Sequence, residues 1–591
     1  MLLEAIDHRP EPPFAYPVER EKLQVRIRMK KGERIQCRVV YGDRYDPEED
    51  RKEEKLEWVA ADERFDWYEG SIPVPTRRVR YVFRLEGKGC TLWYGEKGIT
   101  PKRTRAGVFQ YPYIHVEEVI RVPDWARDAV VYQIFPDRFA KGDPDRDPEG
   151  VMPWSADTRP QSDSFYGGDL RGIIDRMPYL ADLGVNLLYL TPVFSSPSNH
   201  KYDTEDYYRI DPHFGDVEIC REMVETAHRY GIRVLFDAVF NHCGAGFFAF
   251  RDVREKGESS LYKDWFRIRD FPVVMEPEPN YETFAQNISG MPKLMTHRAE
   301  VQDYFLEVAE HWIREVGIDG WRLDVANEVD PEFWRAFRRR VKSIRPESLI
   351  VGEIWHDAGP WLRGDQFDSV MNYPFREAVL SFFATGELDA EEFDARLSAA
   401  RMAVPEPVAF AMFNLLSSHD TERFFTLCNG ESQRLRLALL FQMTYPGIPM
   451  LYYGDEIGMQ GGADPDCRRP MIWEEEKQDR ELLAYVRKLT AIRRKCAPLR
   501  RGAFRTWSAD GEKGLYAFLR RHCEESVGVV LNNSYGRQKW VLDASAWEEG
   551  SVLIDALTGN WYPVQGGVVT LSLKGKEGMI LVETSWYEED L

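Results

Sequence analysis

Over roughly the first hundred residues, apolar and polar positions alternate with the period of a strand that buries one face. In KLQVRIRMK, Leu23, Val25, Ile27 and Met29 alternate with Gln24, Arg26 and Arg28. Ile35, Cys37 and Val39 repeat the pattern, as do Val79, Tyr81, Phe83 and Leu85 against Arg78, Arg80 and Arg84. The charged stretch 46–57 between them reads as an exposed loop. Short strands, polar connections and hardly any helical period predict an N-terminal β-sandwich over residues 1–122, with PDWARDA (123–129) as the linker.

The texture then changes to short apolar runs separated by amphipathic helical pieces such as 302–315 and 333–344. The runs are AVVYQIF (129–135), NLLYLTPV (186–193), IRVLFDAVF (232–240), GIDGWRLDVA (317–326), SLIVGEIW (348–355), SVMNY (369–373), FNLLSSHD (413–420) and MLYYGDE (450–456). Near-continuous apolar runs mark strands buried on both faces, as parallel strands are. Eight of them alternating with helices predict an α/β fold, a (β/α)8 TIM barrel over 123–501. The interval 241–297 is too long for an ordinary connection and predicts a small inserted domain after strand three, over the barrel mouth. Alternation returns at 515–519, 527–531, 568–573 and 579–582, predicting a C-terminal β-sandwich over 502–591.

Charge narrows the partners. With 78 Lys+Arg against 98 Asp+Glu, the net charge of −20 disfavours nucleic acid and anionic membrane surfaces. The short basic run FRRRV, with Arg338, Arg339 and Arg340, reads as a solvated helix face. No run of about 18 apolar residues is present, so no membrane span is expected, and MLLEAIDHRP does not read as a signal peptide. The eight cysteines are scattered without a C-x-x-C pair, which argues against zinc ribbons and disulfide scaffolds. A cytoplasmic protein with reduced thiols is the expectation. Aromatic residues make up 13% of the chain and keep open a ligand with flat apolar faces, such as a sugar ring.

Polar residues gather where four of the strands end, the face on which such barrels carry their active sites. These segments are DAVFNH (237–242), WRLDVANE (321–328), GEIWH (352–356) and SSHDTER (417–423). A lone Asp after a strand is usually a helix cap; four polar segments in register with strand ends are not explained by capping. Cleaving a glycosidic bond through an oxocarbenium-like state needs an ionised carboxylate as nucleophile and a protonated carboxyl as acid. Arg322 and Asp324 lie two apart on one strand and share a face, so the cation is expected to hold Asp324 ionised and lower its pKa. Glu353, between the run LIV and Ile354–Trp355, sits in an apolar setting that suits an acid/base with a raised pKa. Asp420, next to His419, is placed to hydrogen-bond sugar hydroxyls as the ring flattens.

With these segments in hand, the chain resembles the α-amylase superfamily of retaining glycoside hydrolases, whose four signature regions they match in order. MPKL (291–294), VANEVD (325–330) and GEIWHDA (352–358) resemble its neopullulanase, cyclomaltodextrinase and maltogenic amylase subgroup, which carries an extra starch-binding-like N-terminal β-sandwich. The resemblance implies Asp324 as nucleophile, Glu353 as acid/base and Asp420 as transition-state stabiliser. It implies that His242, Arg322 and His419 hydrogen-bond the sugar at the cleavage subsite, with Tyr202 stacked beneath it. Asp464 and Arg468 match positions gripping the glycan on the donor side, Trp355 one that shapes the acceptor side, and Glu328 one that tracks tolerance for α-1,6 bonds.

One region departs from the family. The subgroup often binds calcium through a loop after strand one, with a pattern like N-x-D-x-x-N-D. Here Asp143 and Asp147 remain, with Gly167 and Asp169 further on, but the two Asn positions are Lys141 and Arg146. Calcium takes about six to eight oxygen ligands, and two cations in place of two carbonyls remove donors and add repulsion. Lys141 could reach into the carboxylates and stand in for the metal, so calcium is left open; no organic cofactor is implied. The expected activity is hydrolysis of α-1,4-glucosidic bonds in cyclodextrins, pullulan and maltodextrins, with transglycosylation and some α-1,6 cleavage. The expected assembly is a homodimer. The alternatives are a transglycosidase of the same superfamily and a non-catalytic sugar-binding homologue, against which the intact Asp324, Glu353 and Asp420 argue.

Overall fold

The computed structural model describes residues 1–47, 51–87, 89–285, 287–584 and 586. Its centre is a ring of eight parallel strands: Val131–Ile134, Leu187–Leu190, Arg233–Ala238, Gly320–Leu323, Leu349–Gly352, Ser369–Val370, Phe413–Leu415 and Ile448–Tyr452. The sheet runs from the sixth strand back to the first and on through the eighth to the seventh. A parallel bridge from Met371 to Phe413 joins its two ends. Every residue of the first, second, fourth and fifth strands is buried, which is why each reads as an unbroken apolar run. Val131, Leu187, Leu235, Val351, Leu415 and Met450 fill the barrel interior.

The helices bury their sequence-periodic stripe on the outside of this ring. Ala299–Glu315 turns Val301, Phe305, Val308, Ala309 and Trp312 inward at i, i+3 and i+4 spacings. Pro331–Ile344 starts where the Asp330 carboxylate accepts from the N–H groups of Glu332 and Phe333, with Pro331 at its first position. Between the third strand and Ala299–Glu315, the chain forms the helix Phe248–Lys256 and a set of isolated antiparallel bridges, among them His242 with Lys293 and Thr283 with Pro292. This segment brings Phe284 and Met291 over the barrel mouth.

Nine antiparallel strands between Ala15 and Tyr111 make the N-terminal unit, and eight between Ala503 and Glu583 make the C-terminal one. The first corrects the reading of 46–57 as a loop, because Lys52–Ala61 is a strand paired with Gln36–Gly42 and Phe65–Pro73. Its charges misled because they line the solvent face. Glu53 lies 3.2 Å from Arg84 and 3.9 Å from Arg38, while Leu56 and Ala60 point into the core. Residues 48–50 of that stretch fall outside the described ones. The N-terminal unit docks on the barrel through the buried Arg26, which pairs with Glu69 and donates to the Val404 carbonyl at 2.7 Å.

Candidate active site

At the C-terminal ends of the strands lies a cleft of about 440 Å³, lined among others by Tyr202, His242, Asp324, Glu353, Trp355, Asp420 and Arg468. Its floor is organised by Arg322, which has no solvent exposure. Sheet register places Asp237 directly beside Arg322 on the neighbouring strand. The arginine Nη1 donates to both Asp237 oxygens at 2.9 Å and to Asp324 Oδ1 at 3.0 Å. Its Nη2 stands 2.9 Å from Glu353 Oε2. Asp324 and Glu353 are thus carried on the two ends of one planar guanidinium. Both carboxylates are thereby drawn from neighbouring strands onto the same buried cation.

Glu353 is held from two further sides. Its Oε2 accepts the Val325 N–H at 3.0 Å, and its Oε1 accepts the Trp355 indole N–H at 3.0 Å. Val325 reaches that position only by adopting a left-handed backbone (φ 44°, ψ 42°), a costly conformation for a β-branched residue. The Trp355 ring stacks on Tyr373 with centroids 3.8 Å apart and is 47% exposed at the mouth of the cleft.

The electrostatics correct one expectation. Burial, followed by the charge of Glu353, pushes the Asp324 carboxyl well above the ordinary range, and Arg322 opposes this without overcoming it. One guanidinium cannot neutralise three buried carboxylates at once. Asp237 is likewise pushed up, to about 6, by burial against the pull of Arg322.

The remaining polar groups of the cleft form two linked sets. Gln133 donates its amide N–H to His419 Nδ1 at 2.7 Å. His419 Nε2 therefore carries the proton and meets the Tyr202 hydroxyl at 2.6 Å and Asp420 Oδ2 at 3.1 Å. The Tyr202 hydroxyl in turn donates to Asp237 at 2.9 Å. Burial, and then Arg468, hold His419 far below its usual pKa, so it stays neutral. Arg468 donates to the His419 carbonyl at 2.7 Å and to Asp420 at 3.2 Å, and lies 3.1 Å from Asp464. On the other side His242 is buried against Phe284, rings 4.6 Å apart, and no well-aligned hydrogen bond within the protein satisfies its Nε2. Glu328 sits at the rim, 3.0 Å from the Lys293 ammonium.

Asp237 stood in the sequence only as the start of a strand-end segment; its role depends on register with Arg322, which lies outside its own strand. Met291 and Asn327, inside the motifs MPKL and VANEVD, also line the cleft, as does Phe284, which no local pattern marks. The left-handed Val325 gave no signal, because such a conformation is usually announced by Gly or Asn.

The residues of the loop after strand one do not fit calcium. Lys141 Nζ lies 2.5 Å from Asp147 Oδ2. Arg146 reaches Asp143 at 3.1 Å and Asp216 at 2.9 Å. The Asp169 oxygens cap the helix Leu170–Asp175 and accept the N–H groups of Gly142 and Asp143. Gly167 has a left-handed φ of 79°, and a Cβ there would stand 2.2 Å from Asp147 Oδ1, so this approach admits only glycine. Asp147 Oδ1 is left as a buried oxygen without a partner, far short of a calcium shell. Among the described residues no set of three or more His, Cys, Asp or Glu side chains converges as a metal site.

Comparison with known proteins agrees with this geometry. The family described as "Alpha amylase, catalytic domain" matches residues 133–502, and "Alpha amylase, N-terminal ig-like domain" matches residues 1–115. The chain is 56% identical over 583 residues to "Neopullulanase 2" of Thermoactinomyces vulgaris, covering 98% of this chain and 99% of that one. It is 51% identical over 537 residues to a "Cyclomaltodextrinase" of Thermoanaerobacter pseudethanolicus, covering 90% and 93%. A solved structure titled "Cyclomaltodextrinase" superposes with a TM-score of 0.94 at 42% identity, covering 99% of this chain and 100% of that one.

Proposed function

The chain belongs to the α-amylase family of glycoside hydrolases, and within it we propose that it cleaves α-1,4-glucosidic bonds in cyclodextrins, pullulan and maltodextrins with retention of configuration. The observation that carries this reading is the single guanidinium of Arg322 holding Asp324 and Glu353 at its two ends; the printed names of the relatives give the substrate class. Asp324 attacks the anomeric carbon while Glu353 gives its proton to the departing glycosidic oxygen, leaving a glycosyl ester on Asp324. Glu353, now ionised, takes a proton from water, and the water oxygen displaces Asp324 from the sugar. The productive form has the proton on Glu353, and a glycosidic oxygen beside Glu353 with the anomeric carbon beside Asp324 selects it. Asp420, His419, Arg322 and His242 hold the sugar hydroxyls, and Tyr202 lies under the ring.

The test compares initial rates on β-cyclodextrin, pullulan and soluble starch, with products identified and their anomeric form followed by NMR. Release of β-anomers, or absence of turnover on all three, overturns the reading. The exposed Trp355 face beside the acid supports transglycosylation as a second outcome, because it offers a stacking surface to an acceptor sugar. Glu328 at the rim is our candidate for the residue that sets tolerance of α-1,6 bonds.

The misfit of the strand-one loop favours an enzyme that takes its cation there from Lys141 and Arg146. Among the described residues no helix is long and apolar enough to cross a membrane. Unpaired cysteines, six of them buried, support a cytoplasmic setting. We further propose a homodimer in which one chain's N-terminal sandwich walls the partner's cleft; a monomer in sedimentation at micromolar concentration removes that arrangement.

A further inference from the structure

We propose that Lys293 is a positioning residue of the active site: its ammonium orients the amide of Asn241, which in turn sets the proton of His242 that faces the sugar. Lys293 belongs to MPKL, a motif that the catalytic machinery above leaves without a role. Its backbone forms an antiparallel bridge with His242. Its side chain is 19% exposed and reaches the oxygens of two strand-end loops. Nζ donates to Asn241 Oδ1, to Glu328 Oε2 at 3.0 Å and to the Glu328 carbonyl at 3.4 Å.

An ammonium only donates, so it pins the oxygen of the Asn241 amide toward itself and turns the amide nitrogen the other way. That nitrogen lies 3.2 Å from His242 Nδ1. Nδ1 must then accept, and the imidazole carries its single proton on Nε2. Nε2 is the buried nitrogen that no well-aligned hydrogen bond within the protein satisfies, on a residue that is 1% exposed and lines the cleft, with the Tyr202 backbone also facing the ring. The relay presents a neutral N–H donor to a sugar hydroxyl. The ring is fixed by Phe284, stacked at an interplanar angle of 21°. Burial, and then the Lys293 charge, hold His242 down to about 3, which keeps that donor in its neutral form. Without the ammonium, the Asn241 amide is free to rotate by half a turn, its oxygen would accept from Nδ1–H, and Nε2 would become an acceptor.

The inference rests on the glycosidase reading, in which His242 holds the substrate. The experiment is a double-mutant cycle in kcat/KM on β-cyclodextrin between Lys293→Met and His242→Ala. Lys293→Met in the wild-type background is expected to lose about tenfold or more, and in the His242→Ala background less than about twofold. Lys293→Arg, which keeps a donating cation, is expected to retain activity within about threefold. Asn241→Asp removes the amide donor without changing size and gives a second arm should Lys293→Met not fold; it is expected to repeat the tenfold loss and the same non-additivity. Equal fold losses from Lys293→Met or Asn241→Asp in both backgrounds overturn the relay. A wild-type protein that fails to turn over β-cyclodextrin indicts the glycosidase reading instead.

Discussion

Replacing Arg322 by Lys keeps the charge and most of the length but removes the planar fork. In the native site the two Nη atoms serve four carboxylate contacts: three from Nη1 to Asp237 and Asp324 and one from Nη2 to Glu353. A single tetrahedral ammonium cannot stand at both Nη positions. It keeps the contacts of one end and loses those of the other. Either the single Glu353 contact or the three at Nη1 are therefore forfeited, and a charge-assisted contact is worth roughly 1.5–3 kcal/mol. A loss of about 3–4 kcal/mol expressed in the transition state is a fall of about 10²–10³ in kcat/KM. The assay is the initial rate on β-cyclodextrin, with Tm recorded only as a check that the variant is folded, since a chain of several units does not unfold in two states. The preserved charge predicts a small change in Tm. A folded Arg322→Lys protein within about threefold of wild-type kcat/KM would refute the argument that the fork sets the spacing of nucleophile and acid.

Three further outcomes are expected. In Glu353→Gln, assayed with α-maltosyl fluoride, whose leaving group needs no acid, the acidic limb of the pH–rate profile moves to lower pH. The Glu353 charge is, after burial, the largest of the causes that hold Asp324 up, so its removal lets the nucleophile ionise at lower pH; an unmoved limb counts against this coupling. Dialysis against EDTA leaves the wild-type Tm unchanged, whereas Lys141→Asn, which frees Asp147, makes Tm respond to added calcium; a wild-type Tm that falls with EDTA and is restored by calcium rejects the substituted cation. Trp355→Ala lowers the ratio of transfer to hydrolysis by about three- to tenfold, the worth of one aromatic platform; an unchanged ratio by product chromatography places the acceptor elsewhere.

The barrel was legible because its strands are buried on both faces, so runs such as NLLYL and LIVG need no partner to be recognised. The cleft residues at the ends of strands four and five were legible because Arg322 and Asp324 share a face within one strand. The part that failed depends on what several strands bring together. The expectation that Arg322 lowers Asp324 counted one cation against one carboxylate, whereas register adds Asp237 and Glu353 to the same guanidinium. The strand Lys52–Ala61 failed for a related reason: on its solvent face Glu53 pairs across to Arg38 and Arg84 and Lys55 pairs with Glu57, a pattern that local composition reports as loop. The Lys293–Asn241–His242 chain joins residues some fifty positions apart and had no local trace beyond the motif itself.

The placement of charge at the barrel mouth follows from the reaction. Around the rim, acidic side chains meet protein cations: Asp420 and Asp464 share Arg468, and Glu328 meets Lys293. At the floor the balance is left incomplete, with Asp237, Asp324 and Glu353 around Arg322 alone. A buried excess of negative charge is unfavourable in the resting protein, which is why burial and Glu353 raise Asp324. The same excess is complementary to the positive charge that develops on the sugar ring as the glycosidic bond breaks, and in a site screened from water that attraction is stronger than in solution. Neutralising the rim while leaving the floor unbalanced confines the attraction to the place where an oxocarbenium-like state forms, so the interaction is stronger in the transition state than with the neutral substrate, which is the condition for accelerating the chemical step.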